Sequence, residues 1–175
     1  MNKPTFSRRR LTAGETELAR SVFGSSIDYD KVRIHHGRLI PALQNARTAM
    51  SPFGVMHYPP ALYEADFSQS NKRHLFIHEM THIWQHTLGL QLWLDGGILA
   101  CKGGYGRDLP AYRYDHYLNG RTCLSEFNME QQADIIADYF VFRVSSAGAR
   151  LRQILDGFIR NPADTALLPK HTDFQ

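Results

Sequence analysis

The segment His78-Glu79-Met80-Thr81-His82 constrains the structure of this chain more than any other part of the sequence. Apolar and ionisable residues recur around it at helical spacing, with Ser70-Asn71 typical of a helix start and Gly89 of a residue just past a helix end. Two histidines four positions apart on a helix project from the same face, one turn apart. The sequence therefore predicts a helix from about residue 70 to 87 that presents both imidazoles to one site.

The residue types in this segment suit a zinc ion. Imidazoles at i and i+4 can occupy two of the four positions around a tetrahedral Zn²⁺. Glu79 follows the first histidine on the same side of the helix, where its carboxylate could act as a general base towards a zinc-activated water. Chance matches to this motif are expected at roughly 0.02 per chain of this composition. We therefore treat His78, Glu79 and His82 as candidate site residues.

A second motif lies downstream, in Asn128-Met-Glu-Gln-Gln-Ala-Asp134, within a helix predicted from Glu126 to Val144. Together the two motifs resemble the gluzincin-type metallopeptidases. In that group a glutamate on a second helix completes the zinc site, and an aspartate one turn later supports the first histidine. The resemblance implies that Glu130 is the third metal ligand beside the two histidines and that Asp134 accepts a hydrogen bond from His78.

The amino-acid identities in both motifs are more specific than the spacing of the candidate ligands alone. Residues 76–85 and 128–138, with Leu11-Thr-Ala-Gly-Glu15, are similar to a group of small bacterial predicted metallopeptidases associated with Vgr and Rhs proteins of type VI secretion systems. The resemblance extends to about residue 145. It implies an α+β fold of minimal zincin type, in which a small mixed sheet accompanies the active-site helix and a second, ligand-bearing helix packs on it. It also makes Vgr/Rhs-type secretion components candidate partners.

Other residues near the motifs leave alternatives open. Glu126 precedes Glu130 by one turn and is either a third ligand or, more simply, a capping residue. His74 and His86 flank the ligand histidines by one turn each, and Asp138 continues the stripe of Glu130. A structural role fits each of these three better than ligation.

Substrate binding and oxyanion stabilisation need residues outside the two helices. The irregular stretch from Gly89 to Leu124 is rich in glycine and tyrosine, and within it Tyr114 and His116 are the candidate catalytic donors to an oxyanion. Residues 111–118 could form a strand there. Gly54–Tyr58 is the candidate edge strand for an extended substrate.

The leading hypothesis is a zinc-dependent hydrolase of amide bonds in a peptide, a protein or a peptidoglycan stem peptide. The alternative is a catalytically inactive, zinc-stabilised binding or adaptor module of a secretion apparatus, although zinc binding alone would not need Glu79. Nucleic acid is not an expected partner, because the net charge of +3 comes from scattered basic residues without a basic stripe and interleaved aromatics.

The length of 175 residues predicts one domain over 1–175. Residues 1–10, with the run Arg8-Arg9-Arg10, and 162–175 are predicted to be loosely ordered. We expect no membrane span, since no stretch is apolar enough, and no signal peptide, since no apolar segment follows Ser7–Leu11. The expected location is the cytoplasm before any export by a signal-peptide-independent route, to the medium or to the periplasm of a target cell. Cys101 and Cys123 either pair or remain thiols.

Overall fold

The computed structural model describes residues 8–41, 44–106, 108–142 and 148–172. Over these residues the chain forms one small sheet and a set of helices, and the predicted α+β class is confirmed. The strands are β1 (Arg8–Arg9), β2 (Arg33–His36) and β3 (Val55–Tyr58), and the helices are α1 (Ala13–Phe23), α2 (Arg73–Thr87), α3 (Leu92–Cys101), α4 (Met129–Ala137), α5 (Gly148–Ile154) and α6 (Asp156–Arg160).

The sheet is mixed, with strand order β1-β2-β3. The first two strands are antiparallel, and β2 and β3 are parallel with Ile34 opposite Met56. Both of these side chains are fully buried, and as partners on neighbouring strands they lie on the same face of the sheet. β3 packs against α2. The sheet therefore covers the helix that carries the first motif.

Helix α2 lies at the centre of the molecule. Its residues Phe76–Gln85 are buried without interruption, which is the pattern of a helix that is surrounded by other elements. Its contact with α4 is the most extensive between any two of the described elements. Trp84 of α2 also contacts Phe23 of α1 and Phe158 of α6. The core thus fixes α2 from several sides, so that the polar residues on it have little freedom to move.

The amino-terminal segment is tied to α1. Thr12 and Glu15 form the predicted capping box, with the Thr12 hydroxyl accepting from the Glu15 amide at 3.1 Å and the Glu15 carboxylate accepting from the Thr12 amide at 2.9 Å. Arg9 donates to both carboxylate oxygens of Glu15, at 2.7 and 2.8 Å. The structure thus ties Arg9 to α1, within the stretch 1–10 that the sequence predicts to be loosely ordered. Residues 1–7 lie outside the described part of the chain.

Residues 162–172 also contrast with the loosely ordered tail that the sequence predicts. The Trp84 indole donates to the Pro162 carbonyl at 2.6 Å, and the Lys170 amide donates to the Ser125 carbonyl at 3.0 Å. Between them Leu167 is buried. This segment packs on the core because it satisfies buried polar groups of α2 and of the turn before α4; residues 173–175 lie outside the described ranges.

The long connection before α4 differs from the prediction. It contains α3, and the strand suggested over residues 111–118 is wrong, because this part forms a short 3-10 turn at Asp115–Tyr117. The second motif helix begins at Met129 and continues as a π-helical turn over Asp138–Phe142. Cys101 and Cys123 are both exposed and form no disulfide. None of the described helices is long and apolar enough to cross a membrane.

Candidate metal centre

Three buried side chains converge between α2 and α4. Nε2 of His78 and Nε2 of His82 each lie 3.2 Å from Oε2 of Glu130, and one potential ligand atom from each residue lies within 4.8 Å of the others. Ligand atoms around a tetrahedral zinc with bonds near 2.1 Å are about 3.4 Å apart. The three residues are therefore spaced to hold a metal ion of this size.

Glu130 reaches the centre because of where α4 begins. Asn128 caps the helix, and its side-chain oxygen accepts from the backbone amides of Glu130 at 2.9 Å and Gln131 at 3.0 Å. The Gln131 side chain accepts from the Asn128 amide at 3.2 Å and completes a capping box. The cap fixes the first turn of α4 and with it the direction of the Glu130 side chain.

His78 is oriented by Asp134, as the resemblance implies. Nδ1 of His78 lies 2.7 Å from Oδ1 of Asp134. Burial alone would lower the pKa of His78, but the hydrogen bonds and charges of Asp134 and Glu130 outweigh burial and raise the pKa well above its usual value. Burial likewise works to raise the pKa of Glu130, and the two histidines hold it far below its usual value. The centre is thus built for positive charge, which either protons or a metal ion can supply.

His82 is oriented by an amide rather than by a carboxylate. Its Nδ1 lies 2.9 Å from Oε1 of Gln85, which is fully buried. Burial works to lower the pKa of His82, and the charge of Glu130 raises it overall. Sequence reasoning missed Gln85, although its position three residues after His82 on the same helix face was a signal for it.

Glu79, the candidate general base, is buried beside the three residues. Oγ of Ser51 donates to Oε2 of Glu79 at 2.5 Å, and both side chains are almost inaccessible to solvent. Ser51 follows Met50, which pairs with His57 of β3 in an isolated antiparallel bridge. The sheet therefore places Ser51 over α2. No pattern in the sequence indicated this contact between residues 28 positions apart.

A cavity of about 270 Å³ opens beside Glu79 and His78. One wall is formed by residues 47–49, and the remaining lining residues are His74, Leu75, Leu109, Tyr112 and Asp134. The candidate substrate strand Gly54–Tyr58 does not line this cavity. Its outer edge is already paired at His57, whose amide donates to the Met50 carbonyl at 2.9 Å. The segment 47–49 thus stands between β3 and the cavity.

The tyrosines beside the metal centre are Tyr105 and Tyr112. The Tyr105 hydroxyl donates to Oε1 of Glu130 at 2.7 Å, and the Tyr112 ring stacks on His78 with centroids 5.8 Å apart. Burial raises the pKa of both tyrosines, and the Glu130 charge adds to the effect, so both hydroxyls stay protonated donors. The sequence could not single them out, because only the course of α3 and the following turns brings them to the site.

The two donors predicted from the sequence lie elsewhere. The Tyr114 hydroxyl donates to Oδ2 of Asp138, and Oδ1 of Asp138 lies 2.8 Å from Nε2 of His74. His116 is exposed in the 3-10 turn that follows. The structure thus brings Tyr114, Asp138 and His74 together as a separate group, next to the metal centre along the two helices.

Glu126 and His86 have structural positions. Oε2 of Glu126 accepts from the backbone amides of Thr122 at 2.6 Å and Cys123 at 3.0 Å. These hydrogen bonds lower the pKa of Glu126 to about 2. The His86 ring lies against Gly54, where a β-carbon would come within 3.1 Å of it. Neither residue belongs to the converging group of His78, His82 and Glu130.

Comparisons with known proteins relate the chain to a type VI secretion spike protein. No model of a known protein family matches the chain. It is 38% identical to the type VI secretion system spike protein VgrG2b of Pseudomonas aeruginosa, over 86% of this chain and only 15% of VgrG2b. The solved effector domain of Pseudomonas aeruginosa VgrG2b superposes with a TM-score of 0.71 at 35% identity, covering 85% of this chain and 82% of that domain.

Proposed function

Since this chain belongs to the family of the VgrG2b effector domain, we propose that it is a zinc-dependent hydrolase that cleaves amide bonds as a secreted effector. The observation that carries the proposal is the convergence of His78, His82 and Glu130 on one point, with Glu79 beside them at a cavity. Zinc fits two imidazoles and one carboxylate, which leave a coordination position open. When bound, the ion lowers the pKa of a water and polarises a carbonyl.

Glu79 supplies the proton transfers in this proposal. Ser51 occupies Oε2 of Glu79, so Oε1 is the atom that takes a proton from the attacking water and later delivers it to the leaving amine. For the oxyanion, Tyr112 is better placed than the predicted Tyr114 and His116. Tyr112 lines the cavity with Glu79, whereas the Tyr114 hydroxyl is engaged by Asp138.

The secretion context comes from the relative. VgrG2b is a type VI secretion spike protein, and we propose that this chain is likewise delivered with Vgr-type components. It would then stay in the cytoplasm of the producing cell until export. Its substrates would be peptides, proteins or peptidoglycan stem peptides, which all present an amide bond to the same cavity.

The test is Glu79→Gln, with the exposed Glu17→Gln on α1 as the matched control. We expect wild type and both variants to bind one zinc per chain. Hydrolysis of peptide and peptidoglycan substrates should fall by about 10²–10⁴-fold in Glu79→Gln alone, because only the proton acceptor is lost. Full activity in Glu79→Gln would contradict the mechanism. A zinc-loaded wild type that is inert towards every substrate would favour the binding or adaptor module instead.

A further inference from the structure

Gln85 contacts the metal centre through a buried amide whose orientation is settled by its partners. Its Nε2 donates to the carbonyl of Met129 at 3.1 Å and to Oε1 of Gln132 at 3.0 Å. A primary amide has donors only on nitrogen, so the nitrogen must face these two acceptors. Oε1 of Gln85 therefore faces Nδ1 of His82, at 2.9 Å.

This orientation decides which nitrogen of His82 carries hydrogen. The Gln85 oxygen can only accept, so Nδ1 of His82 must be protonated and donate to it. In neutral imidazole the other nitrogen, Nε2, then has the lone pair. That atom lies 3.2 Å from Glu130 and is the one that would bind a metal. Asp134 has the equivalent effect on His78.

Gln132 in turn fixes Gln85. Its Nε2 donates to the carbonyls of Leu124 and Leu167, each at 2.9 Å, which turns its oxygen towards Gln85. Both glutamines are fully buried. Burying an amide costs free energy unless every polar group finds a partner. These two amides are buried with partners at both ends, and the chain of contacts runs from the carboxyl-terminal segment to His82.

We propose that Gln85, held by Gln132, is a positioning residue of the metal centre that fixes the tautomer and ring orientation of His82. The inference rests on the proposed zinc site and concerns affinity for the ion rather than turnover. Hydrogen-bond partners of ligating histidines typically contribute 10–100-fold to metal affinity. In this chain His78 is supported by the Asp134 carboxylate, and His82 is supported by the neutral amide of Gln85.

The experiment measures zinc affinity by competition with a chelator on the full chain. Gln85→Leu should weaken zinc binding by about 10–100-fold, and Gln132→Leu should weaken it by less, because Gln85 keeps the Met129 carbonyl. Gln44→Leu is the matched control. Gln44 is also a buried amide, but it bonds the Leu39 amide and the Thr48 carbonyl, both at 2.6 Å. Its loss should leave zinc affinity unchanged.

A conservative variant separates positioning from packing. Gln85→Glu keeps an oxygen that accepts from His82 but loses both donors on nitrogen. Positioning predicts that Gln85→Glu retains the zinc affinity that Gln85→Leu loses, whereas a purely structural role predicts that both variants are weakened alike. Thermal unfolding of the metal-free variants identifies any that fail to fold. If a Gln85 variant fails to fold, the zinc affinities of Gln132→Leu and Gln44→Leu are compared to decide between positioning and packing.

Three outcomes would overturn the inference. If wild type binds no zinc, the proposed function fails together with it. If wild type binds zinc and Gln85→Leu binds as tightly, the inference fails and the zinc site stands. The inference also fails, and the zinc site also stands, if Gln44→Leu weakens zinc binding as much as Gln132→Leu does.

Discussion

At the scale of single residues, the contact between Ser51 and Glu79 shows how the fold orients the side chain that we propose as the general base. A carboxylate on a buried helix can adopt several rotamers, and a hydrogen bond at 2.5 Å to one of its oxygens selects among them. The donor comes from the segment that pairs with β3, so the sheet, rather than the helix itself, fixes the direction of Glu79.

Replacing Ser51 by alanine should therefore lower kcat without changing metal binding. Hydrogen bonds to charged groups contribute about 1.5–3 kcal/mol, which corresponds to a loss in kcat of roughly 10–100-fold. KM and zinc affinity should stay at their wild-type values, and Ser51→Thr, which keeps the hydroxyl, should restore most of the rate. Steady-state kinetics on the three proteins make the comparison. An unchanged kcat in Ser51→Ala, or a loss of zinc, would contradict this role.

The sequence could predict His78 and His82 from their spacing of four positions along one helix, and the resemblance of the second motif implied Glu130 and Asp134. The structure brings all four residues together. It could not predict Ser51, Tyr105 or Tyr112. Their contacts depend on how distant segments cross, which no local pattern encodes. For the same reason the sequence could not show that the hydroxyl of Tyr114, the predicted oxyanion donor, bonds Asp138.

At the scale of elements, histidines one turn apart on α2 pair with aspartates one turn apart on α4 and the turn that follows it. His78 lies one turn after His74 on α2. Their partners follow the opposite order, because His74 contacts Asp138 in the π-helical turn after α4 and His78 contacts Asp134, one turn earlier in α4. Helices that run in opposite directions with residues spaced by four produce this pairing. This pairing places Glu130 of α4 between His78 and His82 of α2.

The start of α1 is held by Glu15, whose carboxylate is fully buried and also accepts from the Phe67 amide at 2.9 Å. We expect Glu15→Ala to lower the free energy of unfolding by about 3 kcal/mol, because it removes the Glu15 half of the capping box and leaves the Arg9 guanidinium without its carboxylate partner. Denaturant unfolding measures the loss. The exposed Glu17→Ala on the same helix should change stability by less than about 0.5 kcal/mol. Equal stability of the two variants would contradict the role of Glu15.

At the scale of the whole molecule, Arg9 and residues 162–172 form hydrogen bonds to the rest of the fold that the sequence did not indicate. Residues 162–172 contain two prolines, and the sequence predicts a loosely ordered segment there. They contact the core through the backbone carbonyls of Pro162 and Leu167 and through the buried Leu167 side chain. Backbone contacts of this kind have no signature in side-chain pattern. The α+β class, by contrast, follows from the two motif helices and the short strands.

We propose that His78, His82 and Glu130 hold one zinc ion. The most direct test is a crystal structure of the purified full chain with anomalous diffraction recorded at the zinc absorption edge. We expect one anomalous peak per chain, at about 2.0–2.2 Å from Nε2 of each histidine and from a carboxylate oxygen of Glu130. A zinc-loaded crystal without a peak at this position, or with the ion bound by other residues, would contradict it.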